Sequence, residues 1–254
     1  MPEFFIGTAG WTIPNSQRNS FPGNGTHLER YASVFRAVEI NSSFYRAHRQ
    51  ETYAKWSNDV PADFQFAVKM PKRITHERRL RQCKKLLDTF CQEISGLKDK
   101  LGCVLVQLPP SFNYEAAVAE PFFKNLRARL SIDIACEPRH SSWFDADAAA
   151  LMRTYKTARV LADPATIPAA DSAAGTATVR YYRLHGSPRM YYSRYTDAYL
   201  KSLAKGFATA ANCQRIWCFF DNTAAGKACG NAQRLSELIT TQTVQKSEKI
   251  RRLL

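Results

Sequence analysis

Eight short apolar runs recur along this chain, with helical periodicity between most of them. That alternation restricts the fold more than any other feature. The runs lie at 4–8 (FFIGT), 37–43 (AVEINSS), 64–70 (FQFAVKM), 103–108 (CVLVQL), 132–137 (IDIACE), 158–163 (ARVLAD), 180–185 (RYYRLH) and 215–221 (RIWCFFD). In 82–98, Leu86, Leu87, Phe90, Ile94 and Leu97 recur at helical spacing, and 116–130, 145–156, 196–211 and 228–240 are similar. Strands that alternate with helices pair in parallel through right-handed crossovers. Eight such units are what a closed barrel requires, and about 250 residues is its usual size. The expectation is an α/β protein built as a TIM-like (β/α)8 barrel, regular or partly open, forming a single domain over residues 1–254.

Prolines mark one end of these runs. Pro71, Pro109, Pro110, Pro138, Pro164 and Pro188 stand directly after a strand or nearly so. Proline has no N–H to extend a ladder, so it ends a strand. The repetition predicts a shared rim of strand-to-helix loops, where barrel active sites lie. An open doubly wound sheet is the rival, but no Gly-x-Gly-x-x-Gly turn follows the first strand.

The same strand ends carry polar groups. Val38 and Ile40 alternate with Glu39 and Asn41, so the carboxylate and the amide share the face opposite the apolar pair. Lys69 ends the third strand, Gln107 the fourth, Glu137 the fifth and Asp163 the sixth. Arg183 and His185, two apart, share a face of the seventh, and Asp221 and Asn222 end the eighth. One reading is a paired ionic cap, because buried charges must be compensated. The other is a site, since both signs of charge, an imidazole and two amides converge on one mouth.

Loop residues add to this. Gly7 and Gly10 in "GTAGW" permit close backbone approach or positive φ, and Trp11 is either a stacking wall or a packing residue. Tyr45 and Arg46 follow the second strand. "HGSPR" (185–189) offers Gly186, Ser187 and Arg189 either to a phosphate or to a tight turn. "AGKAC" (225–229) lacks the spacing of a Walker loop. The run 71–85 carries seven basic residues and one acid, which is either a solvated face or a phosphate-backbone contact.

Net charge is +14 and the isoelectric point is near 9.6. That balance favours anionic partners, small molecules or nucleic acid. No apolar run reaches the ~18 residues a membrane span needs, and the N-terminus has no basic region typical of a secretory signal. The seven cysteines are scattered and odd in number, with no Cys-x-x-Cys pair. They read as reduced thiols in a cytoplasmic protein rather than as a zinc site.

The segments "IGTAGW", "FRAVEINSSFYR", "FAVKMPKRITH", "LGCVLVQLPPSF", "EPRHSSWF", "YYRLHG" and "FFDNTAAGKACGNAQRL" resemble, in order and across nearly the whole chain, the successive motifs of the YecE-like family of unknown function (domain of unknown function 72). The resemblance implies a TIM-like barrel. It also implies motif positions at Gly7, Gly10, Trp11, Glu39, Asn41, Tyr45, Lys69, Gln107, Glu137, Arg139, Trp143, Asp163, Arg183, His185 and Asn222. The chain reads "FDN" where relatives resemble "FNN", which makes Asn222 rather than Asp221 the motif position.

The leading functional expectation is an enzyme acting on a phosphorylated or other anionic substrate, a nucleic-acid phosphodiester included. Glu39, Glu137, His185 and Lys69 are the catalytic candidates. Trp11, Asn41, Tyr45, Gln107, Arg139, Asp163, Arg183 and Asn222 are the substrate-binding ones. No cofactor is expected. A single divalent ion on Glu39, Glu137, Asp163 and His185 is the competing arrangement, opposed by the charge of Lys69 and Arg183. Two alternatives stand beside this: a non-catalytic binder of nucleic acid or a small anion, and a sugar or sugar-phosphate isomerase with Trp11, Tyr45 and Trp143 as stacking faces.

Overall fold

The computed structural model describes residues 2–165, 167 and 173–251. The chain is an α/β protein with two parallel sheets. Its elements run β1 (Glu3–Thr8), α1 (His27–Ala32), β2 (Ala37–Ile40), α2 (Gln50–Asn58), β3 (Gln65–Lys69), α3 (Lys84–Ile94), β4 (Leu101–Gln107), α4 (Ala116–Arg127), β5 (Asp133–Glu137), α5 (Ala146–Thr154), β6 (Thr157–Arg159), β7 (Leu161–Asp163), β8 (Val179–Leu184), α6 (Asp197–Ala208), β9 (Arg215–Phe220) and α7 (Ala228–Arg251). One sheet has the order β2-β3-β4-β5-β6 and the other β1-β9-β8-β7.

The sheets adjoin at two places. Ala9, just past β1, bridges Glu39 of β2, and the Gly10 N–H donates to the Glu39 carbonyl at 2.8 Å. On the other side one stretch of chain serves both sheets. The strand expected over 158–163 divides at Val160, so that β6 pairs with β5 and β7 with β8. The Val160 N–H still donates to the Cys136 carbonyl at 2.8 Å, which carries the ladder across the break. Gly7 is required where β1 meets β2, because a Cβ there would overlap the Ala37 carbonyl oxygen and crowd Tyr31 Oη. Tyr31 uses that closeness: its Oη accepts from the Thr8 N–H and donates to the Ala37 carbonyl.

Side-chain size divides between the sheets on their inner faces. Ala37, Ala67, Cys103, Ala135 and Ala158, with the larger Leu105, stand on β2–β6, and Phe5, Tyr181, Trp217 and Phe219, with the smaller Val179, on β1, β8 and β9. Small residues on one side leave room for large rings from the other. Phe5 stacks on Trp217 with ring centres 4.2 Å apart. The outer residues of the strands, Val38, Ile40, Val104, Ile134, Ile216, Cys218 and Phe220 among them, join a second, larger core beneath the helices.

Helices α1 and α2 were not signalled by periodicity. Helix α1 has only six residues, and its legible mark is the capping box formed by Thr26 and Glu29. In α2 few positions are apolar, and only Tyr53 and Ser57 are buried. The helix expected over 82–98 occupies 84–94, with a 3-10 segment following it to Lys100. The basic run therefore falls mostly before α3, as a turn of π-helix over Arg73–Glu77 and a coil. The long loop expected over 164–178 falls in part on 166 and 168–172, outside the described residues. No helix among the described residues is long and apolar enough to cross a membrane. All seven cysteines are free.

Candidate functional site

The carboxyl ends of the strands hold an ionic cluster organised on Arg183. Strand alternation puts Tyr181 and Arg183 on the inner face of β8 and carries His185 above them. The guanidinium is 1% exposed, and each of its three nitrogens donates to a carboxylate. Nε and Nη2 donate to the two oxygens of Glu39 at 3.0 and 2.9 Å, a bidentate pair. Nη1 donates to Glu137 at 2.7 Å, and Nη2 also reaches Asp221 at 3.2 Å. Tyr181 Oη adds a bond to Glu39 at 2.7 Å.

Glu137 is equally saturated. Its Oε2 accepts from Arg183 and from Gln107 at 3.0 Å, and its Oε1 takes two bonds from Arg139 at 3.0 and 2.8 Å. Burial works against its charge, but Arg183, His185 and Arg139 outweigh burial and hold the carboxyl well below its usual range. Glu39 and Glu137 are thus anions that fix Arg183, with their lone pairs committed. The position a divalent ion would take among them belongs to the guanidinium. Among the described residues no group of three or more His, Cys, Asp or Glu is arranged to hold a metal.

His185 has a free atom within the cluster. Its Nδ1 lies 3.0 Å from Asp221 Oδ2, which orients the ring. Its Nε2 is buried and has no hydrogen-bond partner in the described protein; Glu137 Oε1, at 3.8 Å, is too far for one. Burial alone would depress this imidazole, yet the Asp221 hydrogen bond and the negative charge of Glu137 hold it above its ordinary value. Asp221 is held below its own, since His185 and Arg183 offset burial. The ring is 2% exposed and borders a cleft of about 40 Å³ lined also by Glu137, Arg139, Val160, Ala162 and Met190. That is the space of one water or one ligand oxygen.

Lys69 completes the cluster. It is 5% exposed, with Nζ 4.2 Å above the centre of the Phe44 ring. No carboxylate among the described residues lies within ion-pair distance of it. Burial, reinforced by the Arg183 charge, brings its pKa down to about 8 despite Glu39, Glu137 and Asp221 nearby. Asn41, at the end of β2, has a buried Oδ1 without a partner.

The structure thus gathers Glu39, Lys69, Gln107, Glu137, Arg139, Arg183 and His185 at one place. Asp163 lies apart, accepting a 2.7 Å bond from Tyr195 Oη outside the strands. Asn222 also faces outward, donating to the Ser193 carbonyl and to Asn231. Trp11 packs edge-on to Trp56, and Trp143 is buried with its N–H on the Phe112 carbonyl. Two of the three stacking walls expected of an isomerase, Trp11 and Trp143, are therefore engaged in packing. Tyr45 stands on the rim, exposed. Asp221, passed over in favour of Asn222, and Tyr181 are the cluster members that sequence reasoning did not select. Gly186 turns the chain directly after His185 with φ +96°, and its N–H donates to Tyr195 Oη at 2.9 Å, so the tight-turn account of "HGSPR" has direct support.

The model of the family described as "Protein of unknown function DUF72" matches residues 5–252. The chain is 30% identical over 141 residues to the UPF0759 protein YecE of Escherichia coli K12, an alignment covering 55% of this chain and 50% of that protein. It is 28% identical over 146 residues to the UPF0759 protein YunF of Bacillus subtilis, covering 55% and 52%. The chain thus spans about half the length of the curated relatives it matches. The crystal structure of a DUF72 family protein from Enterococcus faecalis superposes with a TM-score of 0.78 at 19% identity, covering 94% of this chain and 96% of that one. One from Thermotoga maritima gives 0.77 at 23%, covering 93% and 99%. At such identities the likeness is one of fold.

Proposed function

The chain belongs to the DUF72 family, and from that premise we propose that it is a single-domain TIM-like barrel enzyme that binds a phosphorylated or other anionic substrate at the Arg183 cluster and moves a proton through His185. Closure of the two sheets into one barrel is supported by the Ala9–Glu39 bridge and by the ladder that continues through Val160. The observation that carries the function is the buried, partnerless Nε2 of His185, a residue whose Nδ1 is held by Asp221 and which lines a cleft together with Arg139.

A buried polar atom without a partner costs on the order of 1–3 kcal/mol. A ligand oxygen on Nε2 would recover that cost. The electrostatics favour an anion: with His185 protonated, three carboxylates (Glu39, Glu137, Asp221) face four cations (Arg139, Arg183, Lys69, His185). His185 acts as the general acid, then as the base, with Asp221 orienting it. Lys69, protonated on average but close to its midpoint near pH 8, neutralises the substrate. Glu39 and Glu137 are positioning anions rather than bases, since their lone pairs are committed to Arg183, Arg139, Gln107 and Tyr181. The cleft beside His185 is narrow, and this favours the non-catalytic anion binder as the second reading.

The two readings part on turnover. Phosphomonoesters and phosphodiesters are assayed with the wild type and with His185→Gln and Lys69→Gln. An enzyme loses about 10²–10⁴-fold in kcat in His185→Gln, and its inorganic phosphate affinity falls by about 5–150-fold as the Nε2 contact is lost. Phosphate binding that depends on His185, with no ester turned over by the wild type, assigns the mouth to a binder.

A further inference from the structure

Large exposed aromatic side chains are few in this protein, and they share a location. Tyr45, Tyr191 and Tyr192 are 69%, 39% and 45% exposed. Tyr45 follows β2, and the other two follow β8, so all three stand on the strand-to-helix rim that surrounds the Arg183 cluster. Exposed apolar rings scattered over a surface need no explanation. Rings confined to the edge of one mouth do.

Two chains of contact lead from the rim inward. On one side Tyr45 meets Phe44 edge-on at 5.0 Å, and Phe44 carries Lys69 Nζ over its face. On the other, Tyr191 packs edge-on to His185 at 5.7 Å, and the Arg189 guanidinium lies 4.0 Å over Tyr192. Tyr191 holds its place with φ +67°, a conformation that bulky residues rarely adopt. The loop tolerates that backbone and thereby keeps the ring against the imidazole. Arg46 and Arg73 stand exposed on the same rim, beside Tyr45 and after β3.

Resting on the reading of the mouth as an anion site, we propose that its partner is a single-stranded nucleic acid, whose unpaired bases stack on Tyr45 and Tyr192 while the phosphate between them enters toward Lys69 and His185. Aromatic faces interleaved with arginines suit a single strand, since every base offers a π-face and every linkage a charge. A duplex keeps its bases stacked on one another and leaves these rings unused. The excess charge of +14 supplies the long-range attraction.

Fluorescence anisotropy with a labelled oligo-dT of about 20 nucleotides, and with a duplex of the same length, tests this at about 20–200 mM salt. Oligo-dT binds with a linear fall of log affinity against log salt, and the duplex binds at least about 10-fold more weakly. The Tyr45→Ala/Tyr192→Ala variant loses about 10-fold or more in oligo-dT affinity, with an unaltered salt slope and an unchanged melting temperature. Absence of oligo-dT binding at the lowest salt overturns the proposal. So does equal affinity for the duplex, or wild-type affinity in the double tyrosine variant. Inorganic phosphate binding, measured separately, keeps the two claims apart. If it depends on His185 while the tyrosines do not matter, the polymer partner alone is wrong. If the tyrosines matter and His185 ignores phosphate, the reading of the mouth is wrong.

Discussion

Lys69 is the residue whose presence costs the protein most visibly. An ammonium ion among buried groups, over Phe44 and near Arg183, is easier to deprotonate than in water, and its pKa of about 8 against 10.5 expresses that. The sign follows from linkage. Between those values the unfolded chain binds more protons than the folded one, so stability rises with pH across about 8 to 10.5, and the penalty is full below. Lys69→Met removes the penalty. The variant should be more stable at neutral pH by on the order of 1–3 kcal/mol, and should lose that part of the alkaline slope, measured by urea unfolding across pH. A stability cost at Lys69 is what its proposed role in neutralising the substrate would require. Its inward orientation was legible, because Val68 and Lys69 fall on opposite faces of a strand. The role of Asp221 was not. Trp217 and Phe219 share its face while Ile216, Cys218 and Phe220 share that of Asn222, so both faces of β9 are apolar and hydropathy gives no phase.

The inward rule that works elsewhere fails on one stretch. Along 157–163 one face carries Thr157, Arg159, Leu161 and Asp163 and the other Ala158, Val160 and Ala162, so taking the polar face as the inner one points the wrong way. The structure turns Ala158, Val160 and Ala162 in and leaves Asp163 out. Most other strand positions were legible, since a polar residue among apolar neighbours, such as Glu39 between Val38 and Ile40, announces its face. The meeting of β1 with β2 depends on one absent side chain. Gly7→Ala drives a methyl into the Ala37 carbonyl and toward Tyr31 Oη, which anchors both strands. That variant should lose about 1–3 kcal/mol or more in denaturant unfolding, whereas the same change at Gly23, where nothing lies within 4 Å, should be close to neutral.

At the scale of the molecule, small inner residues on one sheet and large rings on the other make each sheet the filling of its neighbour. Neither can unfold alone without exposing the rings of Phe5, Tyr181, Trp217 and Phe219. Equilibrium unfolding should therefore be one transition, with tryptophan fluorescence and far-ultraviolet circular dichroism coincident. Two separated transitions would contradict a single domain. This design was legible from strand–helix alternation and the prolines that end the strands, but the division of residue size between sheets shows only once the strands are assembled.

The central claim is that His185 presents an unpartnered Nε2 to an anion, and nuclear magnetic resonance of ¹⁵N-histidine-labelled protein reads that atom directly. His185 should titrate above the ordinary histidine value of about 6.5. Inorganic phosphate should shift its Nε2 resonance saturably and raise that pKa further, leaving the resonances of His27 unmoved. An Nε2 resonance indifferent to phosphate, or one that follows phosphate no differently from His27, would contradict the account.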